Sequence, residues 1–240
     1  QRGRFESMRV RLKIEKPPGP VLGIPGATGE YDRSGYRFEL YNTDNSVHVP
    51  NRNPLYQSWP IIFFPGRGGT GWCAVFWDNP SRTFLDCGDW EPEFMSFQSA
   101  WGHPRFLVVT GDELAEVSAK LQVFLGEALF PPAWAFGYHQ SRWSYMPTND
   151  RGGVPVVFRG NDIPIDAVYF DIDYMDGFRC FTRNERFADL PECVKELRSS
   201  GIRSVAIVDP GIKIDPEYEV YRKLVESHAV LRSTDGEPLV

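Results

Sequence analysis

The run Phe170-Asp171-Ile172-Asp173-Tyr174-Met175-Asp176 places three carboxylates directly behind an apolar segment. Ile165-Asp166-Ala167-Val168-Tyr169-Phe170 reads as a buried strand, so Asp171 and Asp173 are expected to project to the same side of its end. Two carboxylates aimed at one cleft can bind sugar hydroxyls, hold a metal, or act as acid and base. The plainer alternative is that they cap the following turn and make ordinary hydrogen bonds. Two further segments bear on the same choice. Val208-Asp209-Pro210 ends another apolar run, Val205-Ala206-Ile207-Val208. Tyr138-His139-Gln140-Ser141-Arg142-Trp143 ends a third, Ala133 to His139, and brings polar groups and a stackable indole. Asp209 before proline can simply start a turn, and His139 can be a satisfied structural histidine.

Three patterns resemble chemistry without supporting it. The D-x-D of Asp171 and Asp173 fits the nucleophile motif of haloacid-dehalogenase-type phosphatases, but Tyr174-Met175 stand where that motif wants Thr, Val or Gly. Trp77-Asp78-Asn79 reads as a hairpin turn. Gly66 to Gly71 is glycine-rich but lacks the Lys-Ser/Thr of a phosphate-binding loop.

These segments need a scaffold, and the chain supplies two kinds. Up to about residue 110, short runs alternate or cluster apolar residues: Met8 to Ile14, Ile61 to Phe64, Cys73 to Trp77 and Phe106 to Val109. Turn residues separate them, as in Pro17-Pro18-Gly19-Pro20, Pro65 to Gly69 and Asp78 to Ser81, which is the grammar of a β-sandwich. One helix follows, with Thr110 and Glu113 in a capping-box pattern, a stripe of Leu114, Val117, Leu121, Phe124 and Leu125, and Gly126 as C-terminal cap. From Ala133 strands alternate with helices at the spacing of βα units. The helix before the third strand has Asp189 as cap, Pro191 in its first turn, and Leu190, Val194 and Leu197 on one face before Gly201. Asp215-Pro216 reads as another helix start. The expected organisation is a sandwich over residues 1–126 and, over 127–240, the first three βα units of an eight-stranded βα barrel, an incomplete one. No internal repeat is visible.

Composition excludes several classes. Of 240 residues, 42% are hydrophobic and 24% charged, which fits a globular chain. The net charge of −6 comes with no basic patch, so no nucleic-acid partner is expected. No apolar run reaches the roughly 20 residues of a membrane-spanning helix. Cys73, Cys87, Cys180 and Cys193 form no C-x-x-C pair and have no histidine at zinc-ligand spacing. They read as free, mostly buried thiols, with no metal and no cofactor expected. No signal-peptide pattern is visible at Gln1; the compartment stays open, with a lean to the cytoplasm.

Leu129-Phe130-Pro131-Pro132-Ala133-Trp134-Ala135-Phe136-Gly137-Tyr138-His139-Gln140-Ser141-Arg142-Trp143-Ser144-Tyr145 resembles the barrel-entry segment of family 31 glycoside hydrolases. Ile163-Pro164-Ile165-Asp166 leading into Asp171 through Asp176 resembles their second barrel strand, and Ile207-Val208-Asp209-Pro210-Gly211-Ile212 their third. Upstream, Tyr41-Asn42-Thr43-Asp44 and Pro54-Leu55-Tyr56-Gln57-Ser58 resemble their N-terminal sandwich. The resemblance implies a retaining α-glucosidase acting on terminal α-linked glucosyl residues, with an α-glucoside or oligosaccharide as substrate. It implies a nucleophile in a Trp-x-Asp-Met-Asn-Glu motif, which does not occur in these 240 residues, so no catalytic residue is assigned within this chain. What carries over is the pocket for the non-reducing-end sugar. Asp171 and Asp44 match residues that hydrogen-bond its hydroxyls, Trp143 an aromatic wall, and Ile172 and Ile212 its apolar lining. Asp44 and Asp171 are expected to face one cavity.

One segment departs from the family. Where a charged helix is usual, this chain has Met146-Pro147-Thr148-Asn149-Asp150-Arg151-Gly152-Gly153-Val154-Pro155. Glycine costs about 1 kcal/mol and proline about 3 kcal/mol in a helix interior, so Asn149 to Pro155 is not expected to form a regular helix. Together with the missing motif, this keeps open a non-catalytic carbohydrate-binding or degenerate remnant.

Overall fold

Period-two alternation in the first half becomes two antiparallel sheets. The computed structural model describes residues 8–13, 19–145 and 149–239, and the chain divides into two compact units, Gln1–Ala128 and Leu129–Val240. The first unit contains β1 Met8–Lys13, β2 Leu22–Gly23, β3 Arg37–Leu40, β4 Ile61–Pro65, β5 Trp72–Trp77, β6 Thr83–Asp86, β7 Phe94–Ser99 and β8 Phe106–Gly111. One sheet has the order β1-β7-β6-β3 and the other β2-β4-β5-β8.

Phe38, Leu40, Leu85, Met95 and Phe97 from the first sheet meet Ile62, Val75 and Trp77 from the second in one buried cluster. Burying each such side chain stabilises the fold by about 1.5–3 kcal/mol. Trp77 fixes the sheet-to-sheet registry: its ring stacks on Phe97 at 5.2 Å, and its indole N–H donates to Ser99 Oγ at 2.9 Å. A buried indole needs such a partner. The turn after Trp77 is not a hairpin. It carries the chain from β5 in one sheet to β6 in the other, and Asn79 braces it by accepting from Ser81 N–H at 2.8 Å and donating to the Trp101 carbonyl at 3.0 Å.

Alternate residues of β4 and β5 face the other way. Ile61 and Ala74, with Val109 of β8, pack against Val117 and Leu121 of α1 Leu114–Leu125. Only part of the expected stripe is used, since Phe124 is 72% exposed and Leu125 46%. The capping box does not form, because Thr110 belongs to β8. Glu116 takes over, its carboxylate accepting from Asp112 N–H at 2.9 Å. Gly126 ends the helix at φ +95°, its N–H donating to Gln122 O, a conformation that favours glycine.

The second unit contains β9 His139–Gln140, α2 Asn149–Gly160, β10 Ala167–Phe170, α3 Leu190–Ser199, β11 Arg203–Ala206 and α4 Glu219–Glu226. Its strands pair in parallel and in chain order, β9-β10-β11. The strand expected over Ala133 to His139 is largely absent. Ala133–Phe136 forms a 3-10 turn closed by Gly137 N–H on Trp134 O, and only two residues of strand follow. Pro131-Pro132 set the entry to that turn, and the Asp166 carboxylate sits where a Gly137 side chain would be.

The expected irregularity at Asn149 to Pro155 is overturned, since α2 runs from Asn149 through Pro155 to Gly160. Thr148 lies outside the described residues. Tertiary burial outweighs local propensity here. Val154 and Phe158 pack on the core of the unit, Phe158 stacks on Tyr138 at 5.3 Å, and Pro155 is itself buried. Arg159 then ties the end of α2 to Ser200 O at 2.6 Å. The helix begun at Asp215-Pro216 starts later than expected: Asp215 caps a turn through Glu217 N–H at 2.9 Å, and α4 begins at Glu219.

Candidate functional site

β10 is the middle strand, and its two faces differ. Val168 and Phe170 point into the helix-covered core with Ile165, Phe187, Leu197 and Ile202. Tyr169 lies on the other face, its hydroxyl 3.1 Å from His139 Nδ1. His139 Nε2 lies 3.1 Å from the Trp134 carbonyl, which can only accept. Nε2 is therefore the donor to that carbonyl, and in the neutral ring Nδ1 accepts from the Tyr169 hydroxyl. With its ring also stacked on Trp134 at 5.7 Å, His139 is a positioning group that fixes β9 against β10.

Past Phe170 the chain turns rather than extending. Asp171 caps the 3-10 turn Ile172–Tyr174, and its Oδ1 accepts from Ile172 N–H at 2.7 Å. The other oxygen of this half-buried carboxylate remains to accept from a ligand. Asp173 lies inside the turn, so the pairing expected from strand alternation is lost. It lines a cavity of about 590 Å³ with Asp176, Phe178, Arg183 and Asn184, of which Asp171 is no part. Asp176 is further committed to Arg179 at 3.3 Å. Asp173 and Asp176 thus share a cavity that Asp171 does not line.

Four of the five expected sugar-contacting residues follow the carboxyl ends of the strands. Trp143 comes after β9 and is 75% exposed. Asp171 and Ile172 come after β10, and Ile212 after β11. Ile172 and Ile212 rest on the same hydrophobic core. Asp209 lies three residues beyond β11, and its carbonyl meets the Cys180 thiol at 3.7 Å. Tyr174 closes the arrangement from below, donating its hydroxyl to Ile207 O at 2.9 Å.

Asp44 belongs to the first unit, on the irregular segment between β3 and β4, and is exposed. No local pattern in the sequence marks its partner. The Tyr56 hydroxyl donates to Asp44 Oδ1 at 2.6 Å, and that bond pushes the phenol above its ordinary pKa. His48 packs on the Tyr56 ring at 5.9 Å. As with Asp171, one carboxylate oxygen is held by the protein and the other is free to accept.

Among the described residues no group of three or more His, Cys, Asp or Glu side chains could hold a metal ion, and no helix is long and apolar enough to cross a membrane.

The chain matches two family models, one described as the glycosyl hydrolase 31 N-terminal galactose mutarotase-like domain over residues 2–86 and one as the glycosyl hydrolases family 31 TIM-barrel domain over residues 128–240. It is 38% identical over 217 residues to alpha-glucosidase 2 of Bacillus thermoamyloliquefaciens, covering 89% of this chain and 27% of that protein. It is 29% identical to the alpha-glucosidase of Saccharolobus solfataricus, covering 84% of this chain and 29% of that one. Among solved structures it is similar to a family 31 alpha-glucosidase from Bacteroides thetaiotaomicron, with a TM-score of 0.79, 30% identity, and 95% of this chain and 39% of that one covered. The fold also matches a family 31 dextranase of Flavobacterium johnsoniae in complex with glucose, with a TM-score of 0.84 at 22% identity, over 98% of this chain and 28% of that one. The chain spans between a quarter and a third of the length of these two curated relatives.

Proposed function

We propose, since the chain belongs to glycoside hydrolase family 31, that it supplies the non-reducing-end sugar contacts of a retaining α-glucosidase acting on terminal α-linked glucosyl residues. The family's N-terminal domain and the start of its TIM-barrel domain are both present. In this reading residues 1–126 are the sandwich, residues 127–240 hold the first three βα units, and the rest of the catalytic domain comes from outside this sequence.

The observation that carries the reading is the state of Asp171. It stands at the carboxyl end of the central strand of a parallel sheet, the end where barrels bind substrate. One oxygen is fixed by a backbone N–H and one is free. A charged acceptor makes the stronger kind of hydrogen bond to a sugar hydroxyl. Asp44, held in the same manner by Tyr56, is a second charged acceptor for sugar hydroxyls. Trp143 supplies a stacking face, and Ile172 and Ile212 the apolar lining. A sugar enclosed this way cannot continue past its non-reducing end, which gives exo-action on an α-glucoside or oligosaccharide.

Retaining hydrolysis further needs two carboxyl groups about 5–5.5 Å apart across the anomeric carbon. Asp44 and Asp171 are assigned to hydroxyls away from that carbon, so neither serves as nucleophile or acid/base. The chain alone is therefore expected to release no p-nitrophenol from p-nitrophenyl α-glucoside. Turnover by the purified chain that Asp171→Asn abolishes would overturn these assignments. The competing reading, a non-catalytic carbohydrate-binding remnant, drew part of its support from a disrupted first barrel helix, and that helix is formed.

A further inference from the structure

The first unit holds a cleft that the sugar contacts above do not use. Its volume is about 580 Å³, within the usual range for small-molecule sites. One wall is the two ends of the segment between β3 and β4, Tyr41-Asn42 and Ser58-Trp59. The other is the crossing from β5 to β6, Asp78 to Arg82, and Phe76 and Pro60 form part of the floor.

The walls are built rather than slack. Trp77 N–H donates to Pro60 O at 2.9 Å, joining one wall to the floor. The Trp59 indole N–H is held by Gln57 Oε1 at 3.0 Å. Asn79 pins the crossing through Ser81 Oγ at 2.7 Å and the Trp101 carbonyl. Even so, Tyr41 and Trp59 keep about half of their surface exposed, 52% and 47%.

Charge narrows the ligand. The Arg82 guanidinium is committed to Glu39 and lies over the Tyr41 ring at 5.0 Å. Asp78 is committed through Oδ2 to Arg105 at 2.6 Å. Both charges lining the cleft are thus partly neutralised by partners in the protein, which disfavours a ligand of high net charge. What the cleft offers beyond those pairs is two aromatic side chains, the Asn42 amide, the Ser58 hydroxyl and, as a charged acceptor, the second oxygen of Asp78. A rigid ring with one C–H face and a rim of hydroxyls uses all of these, with apolar area against the rings and short polar bonds at the edge. We infer that this cleft is a second carbohydrate site, taking an uncharged pyranose and lined by none of the sugar-contacting residues named above.

The test is titration of the full chain with maltose, followed by tryptophan fluorescence and by amide chemical shifts. Saturable binding with Kd on the order of 1 mM is expected, equivalent to about −4 kcal/mol, with shifts at Asn42, Ser58 and Trp59. Trp59→Ala should weaken it at least tenfold and Asn42→Ala severalfold; both positions are exposed, and circular dichroism checks that each variant folds. Absence of saturable binding overturns the inference. So does binding that survives Trp59→Ala and Asn42→Ala but is lost in Asp171→Asn, which would place the sugar at the barrel strand ends instead.

Discussion

Gly137→Ala isolates one contact on which the second unit depends. The backbone at Gly137, φ −81° and ψ −167°, suits any residue, so the substitution brings no conformational strain of its own. A Cβ there would lie 2.0 Å from Asp166 Oδ2, 2.2 Å from its Cγ and 2.8 Å from its Cβ. Rotating the carboxylate away leaves the last of these and breaks the bond that Oδ2 accepts from Tyr138 N–H at 3.0 Å. Overpacking of this kind costs about 1–3 kcal/mol and the lost hydrogen bond about 1 kcal/mol. At a urea slope of about 2 kcal/mol per molar, the midpoint for the second unit should fall by about 1–2 M. Asp166→Ala should cost about 1–3 kcal/mol alone, because Tyr138 N–H loses its acceptor. In that background the two nearest colliding atoms are gone, so adding Gly137→Ala should cost at least about 1 kcal/mol less than it does in the native chain. Strictly additive costs across the four proteins would refute the collision as the cause.

Two further outcomes follow from ionisable groups. Asp215 is held below the usual carboxylate range, first by the Glu217 N–H and then by Arg179, whose Nη2 lies 2.6 Å away. A depressed carboxylate contributes stability that is complete above its unfolded pKa near 3.8 and is lost as pH falls through the lower folded value. Asp215→Asn should therefore flatten the acid end of the stability–pH curve below about pH 4 and leave its slope near neutrality unchanged, as read by urea midpoints at a series of pH values. Burial pushes the Cys87 thiol up to about 12, whereas Cys73 and Cys193 are only half-buried. Alkylation at pH 8 should modify Cys73 and Cys193 well before Cys87, and mass spectrometry of tryptic peptides showing Cys87 labelled first would contradict that burial.

How far the sequence could be read depended on whether a signal was local or shared. β4, β5 and β8 announce themselves because each is an apolar run bounded by turn residues. α3 is equally plain, with Pro191 at its start and Gly201 past its end. The errors lie where a distant residue decides. Thr110 and Glu113 have cap spacing, yet Thr110 is claimed by the ladder to Cys73. Asp78 to Ser81 has hairpin chemistry, yet the strands on either side belong to different sheets. Asn149 to Pro155 is poor helix sequence, yet Val154 and Phe158 have a core to enter. At the site, the residue types could be read from Asp171 and Asp44, but the groups holding them could not. The N–H that fixes Asp171 depends on the strand stopping at Phe170, and the Tyr56 hydroxyl reaches Asp44 across a twelve-residue separation. Buried Arg33 is a further case, since only the fold brings the Ala27 and Thr28 carbonyls to its guanidinium at 3.0 Å.

The sheet β2-β4-β5-β8 is the middle layer of the first unit, covered on one face by the opposing sheet and on the other by α1. Solvent reaches its backbone only after one of those layers has lifted. β4 and β5 also have a paired neighbour on both sides, whereas β2 and β8 are the edges. Their amides should therefore exchange with deuterium more slowly than any others in the unit, opening only with global unfolding. Those of β3, at the edge of the outer sheet, should exchange through smaller, local openings. The segment between β3 and β4 joins these two extremes, so Asp44, Tyr56 and the walls of the cleft can adjust to a ligand while the strand that anchors them at Ile61 stays shut.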